Sequence, residues 1–99
     1  MDSRFMKVVV KGDSMWPTLN DGDMIQCEEY ASQEISISSI VVFTHPFKHA
    51  VTCVKRVKRI EGDQLFVQGD NPDPTASDDS HNFGWIARTS ILAIERTND

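Results

Sequence analysis

The chain has little of what a membrane protein, a nucleic-acid-binding protein or a disulfide-rich protein needs. Its longest apolar runs, such as residues 40–43, are far shorter than the roughly 20 residues that span a bilayer, and the N-terminus lacks a long apolar targeting core. Ten basic against fifteen acidic residues give a net charge of -5, which would repel a phosphate backbone. We therefore expect a cytoplasmic protein that has no membrane anchor and binds no nucleic acid.

Cysteine and metal-ligand patterns are also sparse. The two cysteines, Cys27 and Cys53, are too few and too far apart for a disulfide framework or a metal knuckle, so we expect two buried free thiols. Alternating polar residues in 71–77 are reminiscent of a calcium loop, but Ala76 replaces the glycine that such a loop requires. The histidines show no ligand-like spacing. We expect no metal and no cofactor.

What the chain does have is a succession of short runs rich in β-branched and aromatic residues, separated by turn residues. Such a pattern is typical of strands, and no segment shows a 3.6-residue period. At 99 residues the chain allows one domain, residues 1–99, and we expect it to be all-β. The predicted strands cover residues 5–11, 24–30, 39–44, 51–60, 64–68 and 85–95, and residues 69–84 form a long polar loop.

One serine and one lysine stand out within this pattern. Ser14 lies on a turn-like segment, and a serine needs a neighbouring base to become nucleophilic. Period-two alternation along residues 51–60 places Lys55 on the more apolar face with Cys53 and Val57, and Arg59 with them. A buried lysine loses charge more readily and could accept the serine proton. The alternative is that Lys55 extends to a sheet edge and remains an ordinary cation.

Three sequence blocks then occur in order: residues 12–23 around Ser14, residues 55–63 around Lys55, and residues 69–84 with a Gly-Asp-Asn start. In this order the blocks resemble those of the type I signal peptidase family. The resemblance implies a small domain of mainly antiparallel strands that form a partly open barrel or coiled sheet. It also implies a Ser/Lys dyad in which Ser14 attacks a peptide carbonyl and Lys55 is the general base.

The resemblance also implies roles for further residues of the three blocks. Ser77 would orient the lysine, the backbone N–H of Ser14 would stabilise the oxyanion, and Met15 and Pro17 would shape the turn and a substrate groove. The remaining assignments are turn residues at the oxyanion, Gly12, Asp13 and Met15, and structural residues near the site, Pro17, Asp70, Asn71, Asp79 and Ser80. Two positions depart from the family pattern: Gly12 replaces a serine that often helps to bind the oxyanion, and His81 replaces an arginine.

Signal peptidases carry membrane anchors before the serine block, and only thirteen residues precede Ser14 here. The small soluble proteases that mature nickel-type superoxide dismutase are similar to this chain. This similarity implies that the substrate is a precursor protein and that the reaction removes the N-terminal leader of that precursor. Two alternatives stay open: a self-cleaving peptidase domain of the SOS and phage repressor type, and a β binding module with an inert dyad.

Overall fold

The computed structural model describes residues 4–96, which form one open sheet of seven antiparallel strands. The expected all-β class is therefore confirmed. The strands are β1 (Phe5–Val9), β2 (Met24–Glu29), β3 (Ile40–Thr44), β4 (Thr52–Glu61), β5 (Gln64–Gln68), β6 (Ile86–Ala87) and β7 (Ile91–Glu95), in the spatial order β1-β2-β7-β3-β4-β5-β6. Although β1 and β4 lie four places apart in this order, their residues line one cleft, so the sheet must curl.

The two faces of the sheet carry separate apolar clusters. Strand β3 explains why, because its residues alternate between them: Val41 and Phe43 belong to the larger cluster, while Val42 belongs to the smaller one. A strand covered on both faces reads as a continuous apolar run, as residues 40–43 do. Cys53 packs in the larger cluster and Cys27 in the smaller, and both are buried free thiols, as expected.

The predicted alternation along β4 holds through Val57 and is wrong beyond it. The β4–β5 register pairs Val57 with Val67 but Arg59 with Phe66, so the ladder shifts by one residue between Val57 and Arg59. Such a shift is a β-bulge, which moves the following side chains to the opposite faces. Ile60 consequently packs against the same cluster as Val57, while Arg59 lies over the ring of Trp85, with its guanidinium carbon 5.3 Å from the ring centroid.

Two other segments differ from their predicted structure. The run 85–95 is not one strand, because the 3-10 turn Arg88–Ser90 separates β6 from β7. The polar loop 69–84 contains the 3-10 turn Pro74–Ala76 and a single-turn helix, α1 (Ser80–Phe83), which is too short to show a helical period. None of the helices within residues 4–96 has the length and apolar character that a membrane-spanning segment requires.

Candidate active site

The structure brings Ser14 and Lys55 together. Ser14 lies in the connection between β1 and β2, and Lys55 is in the first half of β4. Their Oγ and Nζ atoms are 3.0 Å apart, which is a hydrogen-bond distance. Lys55 is only 6% exposed, and this burial lowers the pKa of its ammonium group, against a smaller opposing effect of nearby acidic groups. The two groups are therefore close enough for proton transfer, and burial favours the neutral form of the amine that could accept the proton.

Backbone bonds across the ends of β1 and β2 fix the serine turn. The Val10 N–H donates to the carbonyl of Asp23, and the Val10 carbonyl accepts from Gly22, both at 2.8 Å. The Gly12 N–H donates to the Asp21 carboxylate at 2.7 Å, and its φ of +83° is one that few residues other than glycine adopt. Met15 is completely buried in the smaller cluster, so its side chain anchors the turn and does not line a groove.

The third sequence block packs directly onto this turn. The Asn71 backbone N–H donates to the Ser14 carbonyl at 2.9 Å, and its side-chain amide donates to the Asp13 carbonyl at 2.8 Å. Gly69 lies so close that a Cβ atom there would stand 2.5 Å from the Ser14 carbonyl oxygen and nearer still to the Ser77 hydroxyl. Asn71 and Gly69 thus set the position of Ser14 by packing against its backbone carbonyl.

Arg56 and Asp70 form an ion pair between β4 and the third block. The Arg56 guanidinium donates to the Asp70 carboxylate from Nε at 2.9 Å and from Nη2 at 2.7 Å, and from Nη1 to the Ser38 carbonyl. The Asp70 carboxylate also accepts from the Thr18 side chain, within the serine block. The hydrogen bond from Arg56, above all, lowers the pKa of Asp70. This pair therefore ties all three sequence blocks together.

Replacing Asp70 with asparagine is expected to destabilise the fold by about 1–3 kcal/mol at neutral pH, because a partly buried guanidinium loses its counter-charge. Because the folded-state pKa of Asp70 is lowered, its contribution is present above the unfolded pKa of about 3.9 and is lost as the pH falls through the folded value. Urea unfolding at pH 6.5 and at pH 3 should show that the difference in unfolding free energy between wild type and Asp70→Asn is smaller in acid. Asp63→Asn, at an exposed carboxylate, is the control. A difference in unfolding free energy that is larger in acid would contradict this account.

Ser77 and Asp79 both lie next to Gly69, and a hydrogen bond joins their side chains. The Ser77 hydroxyl donates to the Asp79 carboxylate at 2.9 Å, and the Gly69 N–H donates to the same oxygen at 3.1 Å. Burial alone would raise the pKa of Asp79, but hydrogen bonds from Gly69 and His81 lower it below its ordinary value. Within residues 4–96 no hydrogen bond joins Ser77 to Lys55, so the predicted orienting role stays a prediction.

The remaining assigned residues support this arrangement or frame the turn. The Ser80 hydroxyl accepts from the Val67 N–H at 2.9 Å, which fastens α1 to β5. His81 Nδ1 lies 2.8 Å from the Asp79 carboxylate, where the family pattern has an arginine. The turn residues Trp16 and Pro17 are exposed. In the part of the chain that the structure describes, the Ser14 N–H has no protein acceptor, and it is free to bind an oxyanion.

A cleft of about 720 Å³ opens beside the dyad. Its walls are residues 7–11 and 50–55, and His45, Lys48 and Asp78 also line it. We predicted no ligand role for His45, yet it is 4% exposed, and its Nε2 lies 2.8 Å from the Asp78 carboxylate. Its Nδ1 accepts from two backbone N–H groups, at Phe47 and Lys48, so the hydrogen is on Nε2. His45 lies two residues after the apolar run 40–43, and that was the only sequence signal for its burial.

Comparison with known proteins defines the class as serine peptidases. The chain belongs to the Peptidase S24-like family, whose model matches residues 2–90. The resemblance to serine peptidases of the signal peptidase and repressor type is thereby confirmed at the level of the family. No curated protein matches the chain. The family includes self-cleaving repressors.

Proposed function

We propose that the protein is a serine endopeptidase in which Ser14 is the nucleophile and Lys55 the general base, and that it removes an N-terminal leader from another protein. The observation that carries the proposal is the 3.0 Å contact between Ser14 Oγ and the amine of a buried lysine. A neutral amine at this distance can take the serine proton, whereas an exposed, charged lysine could not.

The reaction follows from this geometry in two stages. Ser14 Oγ attacks the peptide carbonyl while Lys55 takes its proton, and the Ser14 N–H stabilises the oxygen that becomes negative. The Lys55 ammonium then donates its proton to the departing amine, which leaves an ester on Ser14 and a neutral lysine. Lys55 next takes a proton from water as that water attacks the ester. Returning the proton to Ser14 Oγ releases the acid and restores the dyad.

The free edge of β1 provides a binding surface for an extended peptide. Within residues 4–96 this strand pairs only with β2. The carbonyls of Arg4 and Val10 bond to residues on the β2 side, so by alternation the backbone groups of Lys7 and Val9 face the open edge. A substrate strand can add to these groups, with its scissile bond close to Ser14. In recognition of this kind the main-chain hydrogen bonds supply affinity, and alternate side chains of the peptide supply specificity.

We assign the substrate as a precursor protein, with nickel-type superoxide dismutase as the specific candidate, on the resemblance of the three blocks to its maturation proteases. We place the reaction in the cytoplasm, where the free thiols of Cys27 and Cys53 remain reduced. A self-cleaving repressor-type peptidase is the second candidate, because the family includes such proteins. Residues 1–99 hold no Ala-Gly or Cys-Gly dipeptide, the bonds that those proteins cut.

The test is to incubate a nickel superoxide dismutase precursor with the protein and to follow the intact masses of both chains. We expect the precursor to lose its leader at a single bond, with no change when Ser14→Ala replaces the wild type. Shortening of the protein itself, with the precursor intact, would support the repressor type. An inert β module would leave both masses unchanged, and the proposal would fail.

A further inference from the structure

The charge of the cleft is opposite to that of the protein. The chain as a whole carries -5, with ten basic and fifteen acidic residues. Four of those ten basic side chains line the cleft, Lys7, Lys11, Lys48 and Lys55, whereas among residues 4–96 only Asp78 contributes a carboxylate. The other described carboxylates do not line the cleft, although the charge of Asp79 acts on Lys55. The cleft is therefore a local region of positive charge on an acidic protein.

The lysines of the cleft differ in whether they already have a partner. Lys48 Nζ lies 3.7 Å from the Asp78 carboxylate, and Lys55 contacts Ser14. Lys7 and Lys11, in contrast, form no ion pair or side-chain hydrogen bond in the described residues, and both are exposed. The arginines on other surfaces are mostly paired, for example Arg56 with Asp70. Two cations in the cleft thus remain available for a ligand.

Lys7 and Lys11 lie along the same wall of the cleft. Lys7 is in β1 and Lys11 follows two residues after its end, so at most about 14 Å separates their Cα atoms. An extended peptide on the β1 edge would present every second side chain to them. At physiological ionic strength charges more than about 8 Å away are largely screened, so such a peptide would respond to the nearby lysines rather than to the net charge of -5.

We propose that the cleft selects acidic peptides, with Lys7 and Lys11 binding carboxylates of the substrate along β1. The proposal rests on the proposed peptidase function only in naming a peptide as the occupant. Apolar contacts from Val9 and Val51, both lining the cleft and more than 40% exposed, would hold the residues between the carboxylates. Lys7 and Lys11 are thereby specificity-determining residues, and Ser14 and Lys55 carry the chemistry.

The test measures binding without cleavage, using Ser14→Ala protein and fluorescein-labelled eight-residue peptides. The peptides alternate alanine with glutamate, glutamine or lysine. At about 50 mM salt we expect the glutamate peptide to bind about tenfold more tightly than the glutamine peptide, and the lysine peptide to bind weakest. Salt of about 0.5 M should reduce the advantage to about twofold. Equal affinity of the glutamate and glutamine peptides would overturn the proposal.

Matched charge reversals distinguish the effect of the lysines in the cleft from the effect of the net charge of the protein. In the Ser14→Ala background, Lys7→Glu and Lys11→Glu should each reduce the glutamate preference about threefold, whereas Lys58→Glu, with the same change of charge on an exposed lysine outside the cleft, should leave it nearly unchanged. An equal effect of Lys58→Glu, or tighter binding of a single-stranded DNA of eight nucleotides, would overturn the proposal. Acidic binding with no cleavage by wild type would instead reject only the peptidase function.

Discussion

Replacing Ser14 with alanine, or Lys55 with methionine, is expected to lower kcat for leader removal by about 10⁴-fold or more. Each change removes one member of a pair that acts as a unit, so either alone should cost nearly as much as both together. Lys55→Arg should fail equally, because a guanidinium does not give up its proton near neutral pH. Steady-state cleavage of the precursor, measured for the single and double variants, checks both the size and the non-additivity.

The control for this prediction is the stability of the Lys55→Met variant, because Lys55 is buried and its replacement could disturb the fold. Methionine resembles lysine in length but has no charge, so Lys55→Met should fold with an unchanged circular dichroism spectrum. Because the folded-state pKa of Lys55 is lowered, the unfolded chain binds its proton more readily, and wild-type stability should rise with pH between the two values. Lys55→Met should therefore be at least as stable as wild type at pH 7. Full activity in this variant would show that Lys55 is not the base.

Replacing Gly69 with alanine is expected to lower kcat by about 10²-fold and to destabilise the fold by about 1–3 kcal/mol. The new Cβ would stand 2.5 Å from the Ser14 carbonyl oxygen, and its other close neighbour is the Ser77 hydroxyl, so the serine turn or residue 77 must move. A displacement of about 1 Å at a nucleophile can cost a hundredfold in rate. Cleavage kinetics and urea unfolding of the same preparation measure the two effects.

Gly62→Ala is the matched control for this prediction. Gly62 has a φ of +57° and no atoms within 4 Å of a built Cβ, so alanine there strains the turn between β4 and β5 by about 1–2 kcal/mol without touching the site. Gly69 has no such left-handed φ, and its cost is steric alone. We therefore expect Gly62→Ala to lose stability with full kcat. Equal loss of kcat in both variants would mean that Gly69 affects activity only through general stability.

The strand pattern was predictable from local composition, whereas the pairing of Ser14 with Lys55 was predicted from the resemblance of the three sequence blocks to those of a known family. The turn residues around Ser14 and the alternation from Cys53 to Val57 place the serine on a turn and the lysine on a buried face. The alternation could not predict the bulge after Val57, since nothing in residues 57–60 indicates an unpaired residue in the ladder. The alternation therefore predicts Arg59 on the face that Ile60 occupies in the structure. The break at Arg88–Ser90 is likewise set by the tertiary structure.

Features that depend on contacts between distant segments were not predictable. The need for glycine at Gly69 comes from the Ser14 carbonyl, which lies 55 positions earlier in the chain and approaches only in the folded sheet. The contact of the buried His45 ring with Asp78 likewise joins segments that are distant in the chain. The ion pair between Arg56 and Asp70 does so too. The positive cleft was hidden by the net charge, because composition averages over surfaces that the fold separates.

The central claim is that Lys55 is uncharged when it acts on Ser14, and the pH dependence of kcat/KM for precursor cleavage tests it most directly. Because only the neutral amine accepts a proton, the rate should rise with pH through the lowered pKa of Lys55 and level off below pH 10.5, its ordinary value. A rate that is independent of pH from 5 to 9, or one that falls with rising pH, would contradict the account.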